Sequence, residues 1–226
     1  MALFDYRFFC TPSSPWDSLT ATDLPALADA PSIEQEMAFV ALVLRNPDVR
    51  AVLERLASLG LPPWYLTAGA LFQTVWNVAA GHADLSHGIR DFDLFYYDAE
   101  DLSYEAEDVV IRRCLRSVGG LGVELEPRNQ ARVHLWYEKK FGRPIEPYRT
   151  LEEPISSFAF TCCSVALSLN PDGMLTTYAT HGYADLFRGV LRPSPSSIAP
   201  DRVSCTKATA YRSRWPHLVE PLVLGV

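Results

Sequence analysis

The chain has 226 residues, of which 48% are hydrophobic and 21% charged, with a formal net charge of -7 and a pI near 5.2. That composition supports a core needing no disulfide or structural metal, and its acidity argues against generic binding to nucleic-acid backbones, whose affinity comes from neutralising phosphates. Five cysteines, with Cys162 and Cys163 adjacent and no C-x-x-C pair, speak against a zinc site and for a reducing compartment.

Residues 1–10 are apolar in flavour but lack a basic start and a small-residue cleavage site, so no signal peptide is expected. No apolar run approaches the length of a membrane span, and the cytoplasm is the expected location. Residues 11–32 are rich in Pro, Ser, Asp and Ala and read as an extended arm with short turns. Ser32 is the expected cap of a helix starting at Ile33, with Glu34 and Glu36 near its positive end. Met37, Val40, Ala41 and Leu44 share one face of it. Asn46-Pro47 breaks the pattern, and a second helix is predicted over 48–59, stopped by Gly60.

Residues 64–68 form an apolar run after two prolines and read as a buried strand. Gly69 and a helix over 70–80 come next. A second strand covers 92–97, and 104–117 is helical. A third strand is predicted over 123–126, stopped by Pro127. Residues 130–141 read as a helix ending at Gly142, although Ala131, Val133 and Leu135 alternate as in a strand. Residues 151–160 are taken as helical. Asn170-Pro171-Asp172-Gly173 is a strong hairpin signal between runs at 164–169 and 174–179. Helices near 184–190 and 201–213, joined by a Pro/Ser-rich link, close the chain. The expected organisation is an arm over 1–32, a core over 33–142, and a C-terminal hairpin with helices over 143–226.

The chemistry-bearing motif is Asp91-Phe92-Asp93 at the start of an apolar strand. Side chains at i and i+2 lie on one face of a strand, so two carboxylates meet beside a buried sheet. Their repulsion raises one pKa unless a cation relieves it. Magnesium, which takes a few carboxylates plus substrate phosphates, suits such a pair. A D-x-D at a strand start is also an ordinary turn or cap. Upstream, Gly69 before a helix start offers close backbone approach and free N–H groups to a phosphate, or is simply a tight turn. Downstream, Glu124 and Glu126 share a strand face.

The order of strand, glycine turn, helix, D-x-D strand, helix and acidic strand resembles the catalytic core of polymerase-beta-like nucleotidyltransferases. Four segments sharpen the resemblance to the bacterial nucleotidyltransferase-like family NTP_transf_6. They are Ala68-Gly69-Ala70-Leu71, Thr74-Val75-Trp76-Asn77, residues 88–98 around the D-x-D, and the Asn-Gln-Ala-Arg-Val-His-Leu-Trp-Tyr run at 129–137. The resemblance spans roughly 33–218. It implies an α+β fold, a small mixed sheet flanked by helices with additional C-terminal strands and helices.

It further implies that Asp91, Asp93 and Glu126 are the catalytic and metal-binding carboxylates, with Glu124 the alternative to Glu126. Gly69, Ala70, Asn77, Arg132 and His134 become the expected nucleotide-binding residues. The implied cofactor is magnesium, with manganese able to stand in. The implied partners are a nucleoside triphosphate and an acceptor left open among a small molecule, a protein and an RNA end. Neither a membrane nor generic DNA is an expected partner. Arg132, Arg188, Arg192, Lys207 and Arg212 are candidates to meet a triphosphate, of which one or two are expected to do so. Trp76 and Trp136 suit either base stacking or core packing. Lys139 and Lys140 are expected in solvent, and Asp185 beside the short helix next to it. One departure stands out: where the superfamily commonly has Gly or Ser after the loop glycine, this chain has Ala70, and one phosphate contact is lost. A catalytically degenerate nucleotide-binding module is therefore the alternative reading.

Overall fold

The computed structural model describes residues 3–10, 16 and 18–221. In chain order the elements are β1 (Leu3–Asp5), α1 (Tyr6–Phe9), α2 (Leu24–Leu27), α3 (Ser32–Leu44), α4 (Pro47–Ala57), β2 (Trp64–Thr67), α5 (Gly69–Ala79), β3 (Phe92–Tyr96) and α6 (Tyr104–Ser117). Then come β4 (Leu125–Asn129), α7 (His134–Phe141), α8 (Glu152–Ser156), β5 (Val165–Leu169), β6 (Met174–Ala179), α9 (Ala184–Arg188) and α10 (Asp201–Arg214). The strands form one sheet in the order β1-β6-β5-β2-β3-β4, parallel only between β3 and β4.

Two constraints shape the centre. In α3, every residue from Ala38 to Leu44 is buried. A helix apolar on all sides belongs inside a protein, and α3 packs on α5, which is itself buried over most of its length. Asn46 supplies the second constraint. Its Oδ1 accepts from Asp48 N at 2.9 Å and from Val49 N at 3.4 Å, capping α4, while its Nδ2 donates to Thr74 Oγ1 of α5 at 3.0 Å. The break between the first two long helices is thus also a tether to the third.

Several expectations shift. Ser32 is the first residue of α3 rather than its cap: Pro31 holds the cap position, and no side chain caps that end. Of the segment read as an extended arm, 24–27 is a helical turn whose Leu24 and Leu27 enter the core, because each apolar side chain gains by leaving water. Residues 11–15 and 17 lie outside the described residues. The third strand starts at Leu125 and runs through Pro127. A proline is tolerated there because β4 is the sheet's edge and needs fewer ladder donors. The expected helix over 130–141 begins with a 3-10 turn at Gln130–Arg132, capped by Asn129, before α7. The hairpin around Asn170–Gly173 forms as read. Among the described residues, no helix is long and apolar enough to cross a membrane.

The C-terminal helix is locked to this frame from inside. Trp215, just past α10, is fully buried and donates from Nε1 to Asn77 Oδ1 at 2.7 Å. Its ring meets Trp76 at 5.4 Å, and Tyr211 fills the angle between them. Asn77 in turn donates to Leu85 O and His87 O, so one amide ties α5, the 85–87 loop and the end of α10. Trp215→Phe should cost about 3 kcal/mol, since it strands a buried amide oxygen and leaves a void. Urea unfolding should show a lower midpoint at unchanged slope.

Candidate active site

The antiparallel pairing of β2 and β3 sets Thr67 opposite Asp93. The end of β2 therefore lies beside the start of β3, and the residues just after Thr67 face those just before Phe92. Directly after Thr67 stands Ala68, with φ 57° and ψ -138°, the one non-glycine residue at positive φ among the described residues. Such backbone strain needs surrounding structure to hold it and concentrates at functional sites. Gly69 and Ala70 then begin α5, where the first N–H groups have no intrahelical partner.

On β3, burial alternates. Phe92, Leu94 and Tyr96 face the core, while Asp91, Asp93 and Phe95 line a cleft of ≈ 420 Å³ that also contains Gly69. On the parallel neighbour β4, Glu126 is the register partner of Asp93 and Arg128 that of Phe95. Burial pushes the Asp93 carboxyl up to about 7, and the charges of Asp91 and Glu126 add to the rise, while Lys207 and Arg128 oppose it. That is the repulsion expected of carboxylates gathered at one sheet end.

Three cations share the cleft with Asp91 and Asp93. Lys207 and Arg214 of α10 and Arg90 line the cleft, and neither Lys207 nor Arg90 forms a salt bridge among the described residues. Arg214 is held in place: Nη1 donates to Gly88 O at 2.9 Å, and its guanidinium lies 4.8 Å from the Trp215 ring centre. Burial first, and then Arg90, lower the Arg214 pKa. Gly88 must be glycine, because its φ is +74° and a Cβ would come within 3.0 Å of Trp215. Phe72, Phe95, Phe158, Phe160 and Tyr211 also line the cleft. The cleft thus joins two carboxylates, a helix start, three cations and an aromatic surface.

A family model described as Nucleotidyltransferase matches residues 54–219. The chain belongs to that family. A solved structure described as "The NMR structure of the protein reveals a CCA-adding enzyme head domain" matches with a TM-score of 0.64. The alignment has 21% identity and covers 86% of this chain and 98% of that one; at that identity the likeness shows the fold alone. No curated protein matches the chain. Family and fold together assign the chain to the polymerase-beta-like nucleotidyltransferase superfamily.

Placed on the nucleotidyltransferase fold, the sequence-predicted residues divide. Asp91, Asp93, Gly69 and Lys207 meet in the cleft. Ala70 comes after Gly69 with its methyl fully buried. Glu126 lies on the adjacent strand, outside the cleft lining, 3.6 Å from Arg128. Glu124 precedes β4, and its side chain is exposed. The others expected to touch nucleotide are engaged elsewhere. Asn77 has its buried amide committed to Trp215 and the 85–87 loop. Arg132 is buried, paired with Glu107, and donates to Leu102 O. His134 sits at the start of α7, its Nδ1 buried without a partner among the described residues.

Of the remaining candidates, Arg188 pairs with Asp29, Arg192 with Asp185, and Arg212 with Glu220. Asp185 also accepts from Thr161 Oγ1. Trp76 is core, and Trp136 lies under Lys140. Arg90, Arg214 and the phenylalanines are cleft residues that sequence reasoning missed. Arg90 and Phe95 stand inside the motif segment itself, Phe95 two residues after Asp93 on the same strand face, but the others reach the cleft only through tertiary packing.

The donor set suits an open magnesium site. Among the described residues no three His, Cys, Asp or Glu side chains form a ready-made cage. Asp91 and Asp93 would supply carboxylate oxygens to such an ion, which is usually held by one or two carboxylates together with substrate phosphates and water.

Without metal, folded Asp93 keeps its proton up to about 7 while the unfolded group, at 3.8, loses it. The native state then binds more protons, so stability should fall as pH rises from 3.8 to about 7 and level off above. Asp93→Asn should flatten that slope and, at pH 8, exceed wild type by about 1–3 kcal/mol, a range discounted for partial exposure. Ala68→Gly should add about 0.5–1 kcal/mol, since relief of strain outweighs glycine's entropy. Chemical denaturation in chelator checks both.

Proposed function

We propose that the protein transfers a nucleoside monophosphate from a nucleoside triphosphate to an acceptor hydroxyl, using magnesium, or manganese in its place, held by Asp91, Asp93 and Glu126. The observation that carries this reading is the cleft lined together by Asp91, Asp93, the start of α5, Lys207, Arg90 and Arg214. A triphosphate with its metal carries both signs of charge, and so does this cleft.

When bound, the metal supplies charge neutralisation on the phosphates and lowers the pKa of the attacking hydroxyl. The rest is positioning and electrostatics. The N–H of Gly69, at the positive end of α5, holds a phosphate oxygen, while fully buried Ala70 lies behind the cleft lining. Lys207, Arg90 and Arg214 neutralise the departing pyrophosphate. The phenylalanine surface takes a base or an apolar part of the acceptor. The acceptor oxygen bonds to the α-phosphorus, the bond from that phosphorus to the bridging oxygen breaks, and the acceptor proton passes to the Glu126 carboxylate. The cytoplasm, rich in triphosphates, is the compartment of this reading.

Two observations favour a second reading, nucleotide binding without turnover. Ala70 offers no hydroxyl, and Glu126 leans toward Arg128 outside the cleft lining. The assay is pyrophosphate release from a panel of triphosphates with magnesium, offered small hydroxylated molecules, proteins and RNA ends. Release that depends on metal and acceptor supports transfer. Ligand-dependent thermal stabilisation without release supports the second reading, and neither signal defeats both. Asp93→Asn should lower release by about 100-fold or more while the fold persists, because a metal ligand is lost at constant volume. Undiminished release by the variant would remove Asp93 from the mechanism.

A further inference from the structure

Gln73 lies one helical turn beyond Gly69 on α5 and lines the cleft. It is only 7% exposed. Buried polar groups are normally hydrogen-bonded, but this side chain makes no hydrogen bond among the described residues, and its Oε1 is buried without a partner. The other end of the amide rests on Gly69. A Cβ on Gly69 would meet Gln73 Nε2 at 2.7 Å and Asp91 Oδ1 at 4.0 Å. The Nε2 donors therefore occupy the corner between the helix start and the first carboxylate. A group arriving there must accept hydrogen bonds and be held against nearby negative charge by a cation. A metal-bound phosphate oxygen meets both demands.

We propose that Gln73 is a phosphate-binding residue, its Nε2 donating to an oxygen of the nucleotide's polyphosphate at the start of α5. It supplies a contact that Ala70, lacking a hydroxyl, does not make. The inference rests on the nucleotide-binding reading above and deepens it. It also explains Gly69 by a different cause: the glycine leaves room for the Gln73 amide as well as for the ligand.

The test is equilibrium binding of magnesium tripolyphosphate, and of a magnesium ATP analogue with a methylene between the α- and β-phosphorus atoms, read by calorimetry. Gln73→Leu keeps approximate volume and removes an unmet acceptor, so the fold should hold; Gln73→Met is the second variant if Leu fails to fold. Both ligands should bind the variant about tenfold more weakly than wild type. Gln73→Glu, which trades the donors for a carboxylate, should bind more weakly still. Binding to wild type with no loss in Gln73→Leu overturns this inference alone. A loss for the analogue but not for tripolyphosphate overturns it in favour of sugar or base contact. Failure of wild type to bind either ligand overturns the functional reading as well.

Discussion

The site depends on one register. Because Thr67 pairs with Asp93 in antiparallel β2 and β3, the chain leaves β2 at the point where it enters β3. Gly69 and Asp91 are 22 positions apart in sequence, yet the Cβ position of Gly69 lies 4.0 Å from Asp91 Oδ1. A slip of one residue would turn Asp91 and Asp93 into the core and Phe92 and Leu94 into the cleft, because strand side chains alternate. The register is held by the side chains that such a slip would expose. Phe92, Leu94 and Tyr96 are nearly inaccessible on one face, and β2 is buried along its whole length. The hydrophobic effect thus fixes where the charges stand, and the charges take no part in choosing it.

Electrostatics sets the second constraint. Burial first, and then the charges of Asp91 and Glu126, raise the Asp93 pKa, so the carboxylates gathered at one sheet end disfavour one another's ionised forms. Lys207 offsets that in part, although it belongs to α10, far along the chain. Arg214 reaches the same cleft from the last turn of α10, where its positive charge also suits the negative helix end. The position of α10 is therefore a condition of the site. The buried bond between Trp215 and Asn77, with Trp76 and Tyr211 packed around it, fixes that position more firmly than the charges could in a solvent-filled cleft.

Legibility in the sequence divides along the same line between local and tertiary causes. The elements bearing Asp91, Asp93 and Gly69 are readable because apolar runs, a glycine and a helix start are local signals. The hairpin at 170–173 is readable because turn chemistry is local too. The shift of the third strand is not, since Pro127 stops a central strand but not an edge strand, and edge position is a property of the whole sheet. Asn77 and Arg132 lie in motif segments, yet their side chains join the frame to itself. A motif matched by family likeness mixes residues that touch ligand with residues that hold the touching ones in place. Asn77 belongs to the second kind: it shares α5 with Gly69 but faces Trp215. Arg214, Phe158 and Phe160 carry no local sign of their place, whereas Phe95 shares a strand face with Asp93.

Gln73 shows why burial and bonding have to be seen together. In sequence it is a polar residue within an apolar helix, a pattern shared by Thr74 and Asn77. All three are buried, but Thr74 donates to Ala70 O at 2.7 Å and Asn77 is fully engaged. Thr74 and Asn77 are satisfied by the protein and so stabilise it. Gln73 is not, and leaving a buried amide unmet costs about 1–3 kcal/mol. The same corner contains a strained Ala68 and the mutually repelling carboxylates. These features meet at one corner of the cleft, although Gln73 is not alone in being unmet: Trp76 Nε1, one turn further along α5, is also buried without a partner among the described residues. An anion with its metal would accept from the Gln73 Nε2 donors, neutralise the carboxylates and occupy the space that the Ala68 turn holds open, while the buried Gln73 Oε1, an acceptor, needs a donor of its own.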